Sequence, residues 1–234
     1  MLILGIESAT AQVGCAIGGP EGLLASAHTV RPRRHAESLA PQIQFVVDQA
    51  GVAMTDLAAV AVDVGPGLFT GLRVGITTAM SLAHALNIGV VTRTSLRLLA
   101  HPVAGDDRDV VAVVDARRGE VFHARYKPGP AGLTEVTPPA VSTPSDLAAE
   151  LAADGGRMLL VGDGARVNRD QFAEIAGLEL ASPAYDRPSA SVLTELARPI
   201  VQRGELIDPR QVRPLYLREP DAKANWEPAA SGTP

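Results

Sequence analysis

The sequence has little cysteine, few aromatic residues and no excess of positive charge, and each shortage excludes a class of protein. Its single cysteine, Cys15, cannot form an internal disulfide or supply a multi-cysteine metal site, which indicates a reducing compartment. Aromatic residues make up only 3% of the chain, so platforms for stacking single-stranded bases are scarce. The net charge of -5 argues against a free-standing nucleic-acid binder, because neutralising phosphates requires clustered lysine and arginine.

Long hydrophobic runs are also missing. No apolar stretch approaches the roughly 18 residues that span a bilayer, and the start, MLILGIESAT, does not have the basic region of a secretory signal. We therefore expect a cytoplasmic protein without membrane contact. The sequence does have 46% apolar residues over 234 positions, which is enough to bury a substantial core in one or two domains.

Apolar runs between turn residues predict strands, and apolar residues at helical spacing predict helices. The runs LILGI, VGCAI and LLASAHT predict an antiparallel meander. A helix over roughly 36–49 follows, in which Pro41 is tolerable only close to the start. The buried strand LAAVAVDV, a helix over 72–86, the strand IGVV and the short helix SLRLLAH complete this part.

The segment PVAGDDRD, residues 102–109, is the best candidate for a linker, and the same order of elements starts again after it. Both copies place a carboxylate, Glu7 or Asp115, at the end of the first strand of a hairpin. The repetition implies two ribonuclease-H-like lobes, while one α/β domain with an irregular extension remains the alternative. We expect lobes at 1–102 and 103–227, of which 205–227 could pack back on the first lobe, and a disordered tail at 228–234.

The stretch GPGLFTGLRVG, residues 65–75, has the setting of a phosphate loop between a strand and a helix. A Walker loop needs a lysine after its last glycine, and a dinucleotide loop needs a glycine where Thr70 stands, so both nucleotide interpretations fail. A generic anion site at the helix start stays open. Gly71 and Gly75 share one helix face and indicate close packing, either on the chain's own sheet or on another subunit.

Other candidate sites are weak on sequence grounds. His35 has no second histidine one helical turn on, so a paired-histidine metal site is incomplete. The hairpin DARRGEVF, with Asp115 and Arg118, could face a cleft between the lobes or be a salt-bridged turn. The turn GDGA, with Gly162 and Gly164, could approach an adenosine.

Six segments together resemble the TsaB family, also called YeaZ, nearly end to end. They are ILGIESATAQVGCAI, HAESLAPQI, VDVGPGLFTGLRVGITTAMSLA, VVDARRGEVF, LVGDGA and PLYLREPDA. The glycine block is the most specific of them, and the order of the others agrees. That family is similar to the actin-like ATPases with sugar kinase and Hsp70 members, which implies an α/β fold of two ribonuclease-H-like lobes.

The resemblance implies a role in tRNA modification. Members of the family take part in making threonylcarbamoyladenosine beside the anticodon, where the paralogue TsaD carries the metal and catalyses the transfer. TsaB acts as its noncatalytic scaffold, and the ATPase TsaE joins them. For this chain the resemblance implies no catalytic residue and no cofactor, with residual nucleotide binding left open. It also implies a heterodimer with TsaD or a homodimer, and contact with tRNA only through the complex.

The resemblance further implies that the first two long helices form the surface for TsaD or a homodimer. We expect the contact to be made by Leu39, Ile43, Gly71, Gly75, Ile76 and Met80. A vestigial nucleotide cleft would contain Glu7, Asp115, Arg118, Gly162 and Gly164. The alternatives are an ATP hydrolase or a metalloprotease-like enzyme that uses this cleft, and a tRNA-binding module.

Overall fold

The architecture is taken from a computed structural model that describes residues 1–30, 34–105, 107–130 and 132–218. The tail expected at 228–234 lies outside the described residues, as does the end of the segment 205–227. Among the described residues, no helix combines the length and the apolar character needed to cross a membrane.

The first part of the chain builds one sheet and three helices. Its elements are β1 (Leu2–Glu7), β2 (Gln12–Gly19), β3 (Gly22–Val30), α1 (His35–Ala50), β4 (Leu57–Asp63), α2 (Phe69–Leu86), β5 (Gly89–Arg93) and α3 (Ser95–Ala100). The strand order is β3-β2-β1-β4-β5, in which β1 pairs antiparallel with β2 and parallel with β4.

The second part repeats this plan. Its elements are β6 (Asp109–Arg117), β7 (Glu120–Gly129), β8 (Gly132–Ser142), α4 (Pro144–Asp154), β9 (Met158–Val161), α5 (Asp163–Val167), α6 (Arg169–Phe172), β10 (Leu178–Leu180) and α7 (Ala190–Arg203). The strand order is β8-β7-β6-β9-β10, with β6 antiparallel to β7 and parallel to β9. The predicted repetition of three strands, helix, strand and helix is therefore confirmed.

The last helix of each unit, α3 or α7, packs on the sheet of the other unit. One face of the first sheet is covered by α1 and α2, and the other is covered by α7 from the end of the second unit. In return, α3 packs on the second sheet, whose other face carries α4, α5 and α6. The central strands of each sheet are thus buried on both faces, which explains why β4 is almost entirely apolar. The expected lobe boundary at 102–103 stays a prediction, because α3 lies before it in the sequence but packs on the second sheet, and α7 lies after it but packs on the first.

The helix α7 lies unusually close to the first sheet. A Cβ atom at Gly5 of β1 would be 2.7 Å from the carbonyl oxygen of Ala190, and one at Gly18 of β2 would be 2.7 Å from the Thr194 Cβ. After α7 the chain stays on the first lobe, where Ile207 exchanges two backbone hydrogen bonds of 3.0 Å with Val90. The first lobe therefore carries residues from both ends of the described chain.

Two helices begin earlier than the apolar spacing predicts. The helix α1 starts at His35, so Pro41 lies inside it, on an exposed face where water can reach the freed carbonyl group. The helix α2 starts at Phe69 instead of Leu72. Gly51 ends α1 in the left-handed conformation (φ 65°), as its position in the sequence predicts.

Candidate functional site

The glycines of the loop and helix at 65–75 pack against the end of β1 in the same chain. A Cβ atom at Gly71 would overlap the carbonyl oxygen of Ser8, and one at Gly75 would overlap the Ser8 Oγ. The Ser8 Oγ in turn donates a hydrogen bond of 2.8 Å to the Gly71 carbonyl oxygen. Both glycines therefore pack closely against Ser8 of the same chain, as their spacing on one helix face predicts.

The histidine at the start of α1 belongs to the same contact. The His35 side chain is 5% exposed, and its Nε2 lies 2.8 Å from the carbonyl oxygen of Thr10 in the turn between β1 and β2. Its ring also lies beside Gly71. His35 thus ties α1 and α2 to the end of β1, which accounts for a lone histidine at this place.

This packing determines where the residues expected at a partner interface lie. Leu39, Ile43 and Ile76 are at most 7% exposed and belong to the core between the first sheet and α1 and α2. Gly71 and Gly75 are buried too, and Met80 is partly buried against the same core. A contact surface on these helices must therefore be formed by their exposed side chains, because these residues are occupied within the chain.

Exposed aromatic side chains lie at the start of α2, where the sequence reasoning did not place a site. Phe69 is 41% exposed and Tyr216 is 39% exposed, and their rings are 5.4 Å apart. The Arg73 guanidinium lies 3.8 Å above the Phe69 ring, and its Nε donates a hydrogen bond of 3.2 Å to the Tyr216 hydroxyl. We call Phe69, Arg73 and Tyr216 the aromatic cluster. Its two rings are 147 positions apart in the sequence, so no local pattern could have revealed it.

The neighbouring helix α1 also presents an apolar side chain to solvent. Phe45 is 52% exposed, although it lies between the buried residues Ile43 and Val46. Large aromatic side chains and arginine are enriched at the centres of protein interfaces. Phe45, Phe69 and Arg73 therefore give the exposed sides of α1 and α2 residue types that occur at the centres of protein interfaces.

Of the residues expected in a nucleotide cleft, Glu7 lies in the first lobe, where it is one of two neighbouring buried carboxylates. Glu7 ends β1 and Asp63 ends β4, and the parallel register that pairs Ile6 with Val62 makes them neighbours. Both residues are at most 1% exposed. One oxygen of each, Oε2 of Glu7 and Oδ2 of Asp63, is buried without a hydrogen-bond partner.

The other oxygens of this pair accept hydrogen bonds. Glu7 Oε1 accepts from the Ala9 N–H, and Asp63 Oδ1 accepts from the Gly65 N–H and the Ser95 hydroxyl, each over 2.8 Å. Burial and the charge of Asp63 raise the pKa of Glu7 well above its usual range. Burial also raises the pKa of Asp63 to about 7. Burial therefore opposes the ionisation of both carboxyl groups.

In the second lobe, the glycines of the GDGA turn serve the same purpose as those of α2. A Cβ atom at Gly162 would overlap the carbonyl oxygen of Val113, and one at Gly164 would be 2.8 Å from the Asp115 nitrogen. The Asp115 N–H also donates a hydrogen bond of 3.0 Å to Asp163 Oδ1. Asp115, Gly162 and Gly164 are therefore brought together, but as packing between β6 and α5.

The charged hairpin between β6 and β7 has the ion pairs of a salt-bridged turn. Asp115 pairs with Arg117 over 2.9 Å, and Glu120 pairs with Arg218 over 2.7 Å. Arg118 lies at the exposed tip in the left-handed conformation (φ 57°). Glu7 accepts its hydrogen bond within the first lobe, whereas the Asp115 N–H donates within the second.

Ligating and nucleophilic groups are few. Within the described ranges, no three histidine, cysteine, aspartate or glutamate side chains are close enough together to hold a metal ion. The Cys15 thiol is buried in β2, and burial raises its pKa to about 12, so the reactive thiolate is scarce at neutral pH.

Comparison with known proteins places these features in a family. A family model described as TsaD, tRNA N6-adenosine threonylcarbamoyltransferase, matches residues 28–226. The chain is 31% identical over 223 residues to the tRNA threonylcarbamoyladenosine biosynthesis protein TsaB of Escherichia coli, covering 93% of this chain and 95% of that protein. It is 37% identical to the uncharacterized protein ML0378 of Mycobacterium leprae, covering 99% of this chain but only 60% of the relative's length.

Solved structures of similar fold agree with this family assignment. YeaZ from Pseudomonas aeruginosa superposes with a TM-score of 0.79 at 28% identity, covering 92% of this chain and 99% of that one. The activator of the 2-hydroxyisocaproyl-CoA dehydratase from Clostridium difficile, solved with bound ADPNP, gives a TM-score of 0.51 at 11% identity, covering 92% and 100%. The second likeness concerns the fold alone. Together they confirm two lobes of the actin-like ATPase fold.

Proposed function

The chain belongs to the TsaB family, within the group that the TsaD family model describes, and we propose that it is a noncatalytic subunit in the synthesis of threonylcarbamoyladenosine in tRNA. In this proposal it docks on the catalytic paralogue TsaD, and TsaE joins the pair. tRNA is contacted through the complex, since a net charge of -5 gives this chain little attraction for phosphates.

The aromatic cluster is the observation that carries the docking proposal. Exposing Phe69 and Tyr216 to water has a cost that a partner would remove, because burying a large aromatic side chain contributes roughly 1.5–3 kcal/mol. The contacts with Arg73 fix both rings before a partner arrives, so little side-chain entropy is lost on binding. A preformed cluster of this composition is typical of the energetic centre of an interface.

The outer faces of α1 and α2 give the surroundings that such a centre needs. Small exposed side chains follow the two helices and permit a partner helix to approach closely: Ala36, Ala40, Thr70, Thr77, Ser81 and Ala85. Phe45 extends the apolar area along α1. Because the TsaD model matches residues 28–226, a TsaD protein has counterparts of α1 and α2. We therefore propose that the helix pair of one protein meets the helix pair of the other.

The occupied glycine contacts and the buried Cys15 support a noncatalytic role. Gly71 and Gly75 are used for packing against Ser8, and the buried Cys15 thiol is protonated at neutral pH. The matched test is a tRNA modification assay with cognate TsaD and TsaE, run with and without this chain. We expect modification to require the chain, and the chain alone to modify no tRNA. Modification by TsaD and TsaE at an undiminished rate without it would contradict the proposal.

One observation favours the alternative of an ATP-hydrolysing enzyme. Glu7 and Asp63 are buried carboxylates with unpaired oxygens at the ends of adjacent strands, an arrangement that could receive a cation accompanying a nucleotide. Calorimetry with ATP and magnesium decides between the two functions. Tight binding that is abolished by Glu7→Gln and by Asp63→Asn would support the enzyme, and the absence of saturable binding would support the scaffold.

A further inference from the structure

A cavity of about 320 Å³ lies where β5, α3 and α7 meet the start of the second sheet. Its polar wall is formed by Thr92, Arg93 and Thr94 at the end of β5 and by Arg97 of α3. It is distant from Asp115 along the second sheet, because its tyrosine belongs to the pair Val110–Tyr126 at the opposite end of β6. The cavity is therefore separate from the predicted nucleotide cleft.

Arg93 and Arg97 line this cavity, and among the described residues neither forms a salt bridge with a carboxylate, although Glu205 lies near Arg93. Arg97 donates a hydrogen bond of 2.7 Å to the Leu133 carbonyl oxygen, and Arg93 donates one of 2.9 Å to the carbonyl oxygen of Thr92. Burial and the repulsion of Arg97 and Arg203 lower the pKa of Arg93, and the Glu205 carboxylate offsets part of this effect. Arginine pairs of this kind are well suited to bind phosphate through several donors at once.

A tyrosine hydroxyl supplies the independent sign of a missing ligand. Tyr126 is 0% exposed and lines the cavity; the Thr94 side chain lies close to its hydroxyl, but no hydrogen bond of normal geometry pairs that hydroxyl. Buried hydroxyl groups are nearly always paired, so an unpaired one beside a cavity indicates an absent partner. Burial raises the pKa of Tyr126 to about 12, so at neutral pH the group is a donor and suits an anion.

Two acidic residues, Glu205 and Glu135, lie near the arginines and reduce the net positive charge of the cavity. Glu205 binds Arg203 through two hydrogen bonds of 2.7 and 2.8 Å, so each largely neutralises the other. Glu135 is exposed at the rim of the cavity and is the carboxylate that competes with an incoming anion. With Arg93 and Arg97 inside, the cavity retains a positive charge.

We propose that this cavity binds a small phosphate anion, either orthophosphate or the phosphate group of a small ester. Arg93 and Arg97 supply the charge, and the Tyr126 hydroxyl donates to a phosphate oxygen. The apolar walls, Val64 and Leu196, and the volume near the lower end of the range for ligand pockets, about 300–1,000 Å³, limit the ligand to a small molecule. The site does not depend on the docking proposal.

The test is calorimetric titration of the full chain with sodium phosphate, glycerol 3-phosphate and sodium acetate at constant ionic strength. We expect saturable binding of a phosphate compound and weaker binding of acetate. Tighter binding of the ester identifies a phosphorylated metabolite as the ligand, and tighter binding of orthophosphate identifies the free ion. Binding of acetate as tight as that of both phosphates would overturn the assignment.

Variants assign the binding to this cavity. Arg93→Gln and Tyr126→Phe should each weaken phosphate binding about tenfold, since hydrogen bonds to charged groups are the strong ones. Glu135→Gln, at an exposed position, should tighten it by a few fold, and Arg169→Gln, an exposed arginine elsewhere in the second lobe, should leave it unchanged. No saturable binding by the unmodified chain, or equal binding by Arg93→Gln and Glu135→Gln, would overturn the proposal.

Discussion

The Ser8 hydroxyl donates a hydrogen bond of 2.8 Å to the carbonyl oxygen of Gly71, which joins the end of β1 to the first turn of α2. The contact is possible only because residues 71 and 75 have no Cβ atom. A sequence block with the setting of a phosphate loop is thus used for packing within the lobe. A bulky substitution at Gly75 would disturb this packing before it affected any partner, so it cannot test docking.

Gly71→Ala should destabilise the chain by about 2 kcal/mol or more. Alanine favours a helix over glycine by about 1 kcal/mol, but its Cβ would overlap the backbone oxygen of Ser8, which cannot move alone. Urea unfolding followed by circular dichroism measures the change. The control is Gly105→Ala, where a Cβ meets open space and the change should stay within about 0.5 kcal/mol. Equal stability of the two variants would refute the contact.

Gly75→Ala should be destabilising alone and be rescued by Ser8→Ala. The atom that its Cβ would overlap is the Ser8 Oγ, whereas the Ser8 Cβ lies 3.4 Å away and leaves room. A double-mutant cycle in urea measures the coupling between the two positions, which we expect to favour the double variant by about 1 kcal/mol. Strictly additive effects would show that the overlap with the Ser8 Oγ is not the reason why position 75 requires glycine.

The stability of the chain should fall as pH rises from 5 to 8. Folding raises the pKa values of Glu7 and Asp63, so the folded state binds more protons than the unfolded state in this range. The resulting stabilisation is complete below the unfolded values and is lost as pH rises through about 7. For Asp63 it amounts to about 4 kcal/mol at most.

Urea unfolding at pH 5 and pH 8 tests this dependence on pH. Asp63→Asn should show a clearly smaller difference between the two pH values, because the side chain at position 63 no longer titrates. An equal change in the free energy of unfolding between pH 5 and pH 8 for the variant and the unmodified chain would show that the buried pair does not titrate as described.

Cys15 should be unreactive in the folded chain. Its buried thiol has a pKa of about 12, so at pH 8 both access and thiolate content are low. Alkylation by iodoacetamide, followed by mass spectrometry, should be about two orders of magnitude slower than for the same chain in urea. Comparable rates in the two states would show that Cys15 is accessible and would contradict its burial in β2.

Much of the fold could be predicted, because β1 to β9 follow local hydrophobic patterns, whereas the short strand β10 was not predicted. The exchange of α3 and α7 between the sheets could not, since an amphipathic helix does not show which sheet it covers. The same limit applies to Gly71 and Gly75, whose spacing predicts close packing without naming the partner. Of the two partners considered, the chain's own sheet is the one observed.

The candidate contact surface on α1 and α2 could be predicted only in part from the sequence. The resemblance indicated α1 and α2, but apolar residues such as Leu39 and Ile76 proved to be core because a helix buries its apolar stripe first. Phe69 and Tyr216 became visible only when folding brought distant parts of the chain together. Asp63 was missed for the same reason, as its pairing with Glu7 depends on the β1–β4 register.

The most direct test of the account is the affinity of cognate TsaD for Phe69→Ser, measured by calorimetry beside the unmodified chain and Val167→Ser. Val167 is 68% exposed on α5 of the second lobe and provides a matched exposed apolar control. We predict that Phe69→Ser weakens binding at least about tenfold with an unchanged melting temperature, while Val167→Ser binds normally. Unchanged affinity for Phe69→Ser, or an equal loss in both variants, would contradict docking through the aromatic cluster.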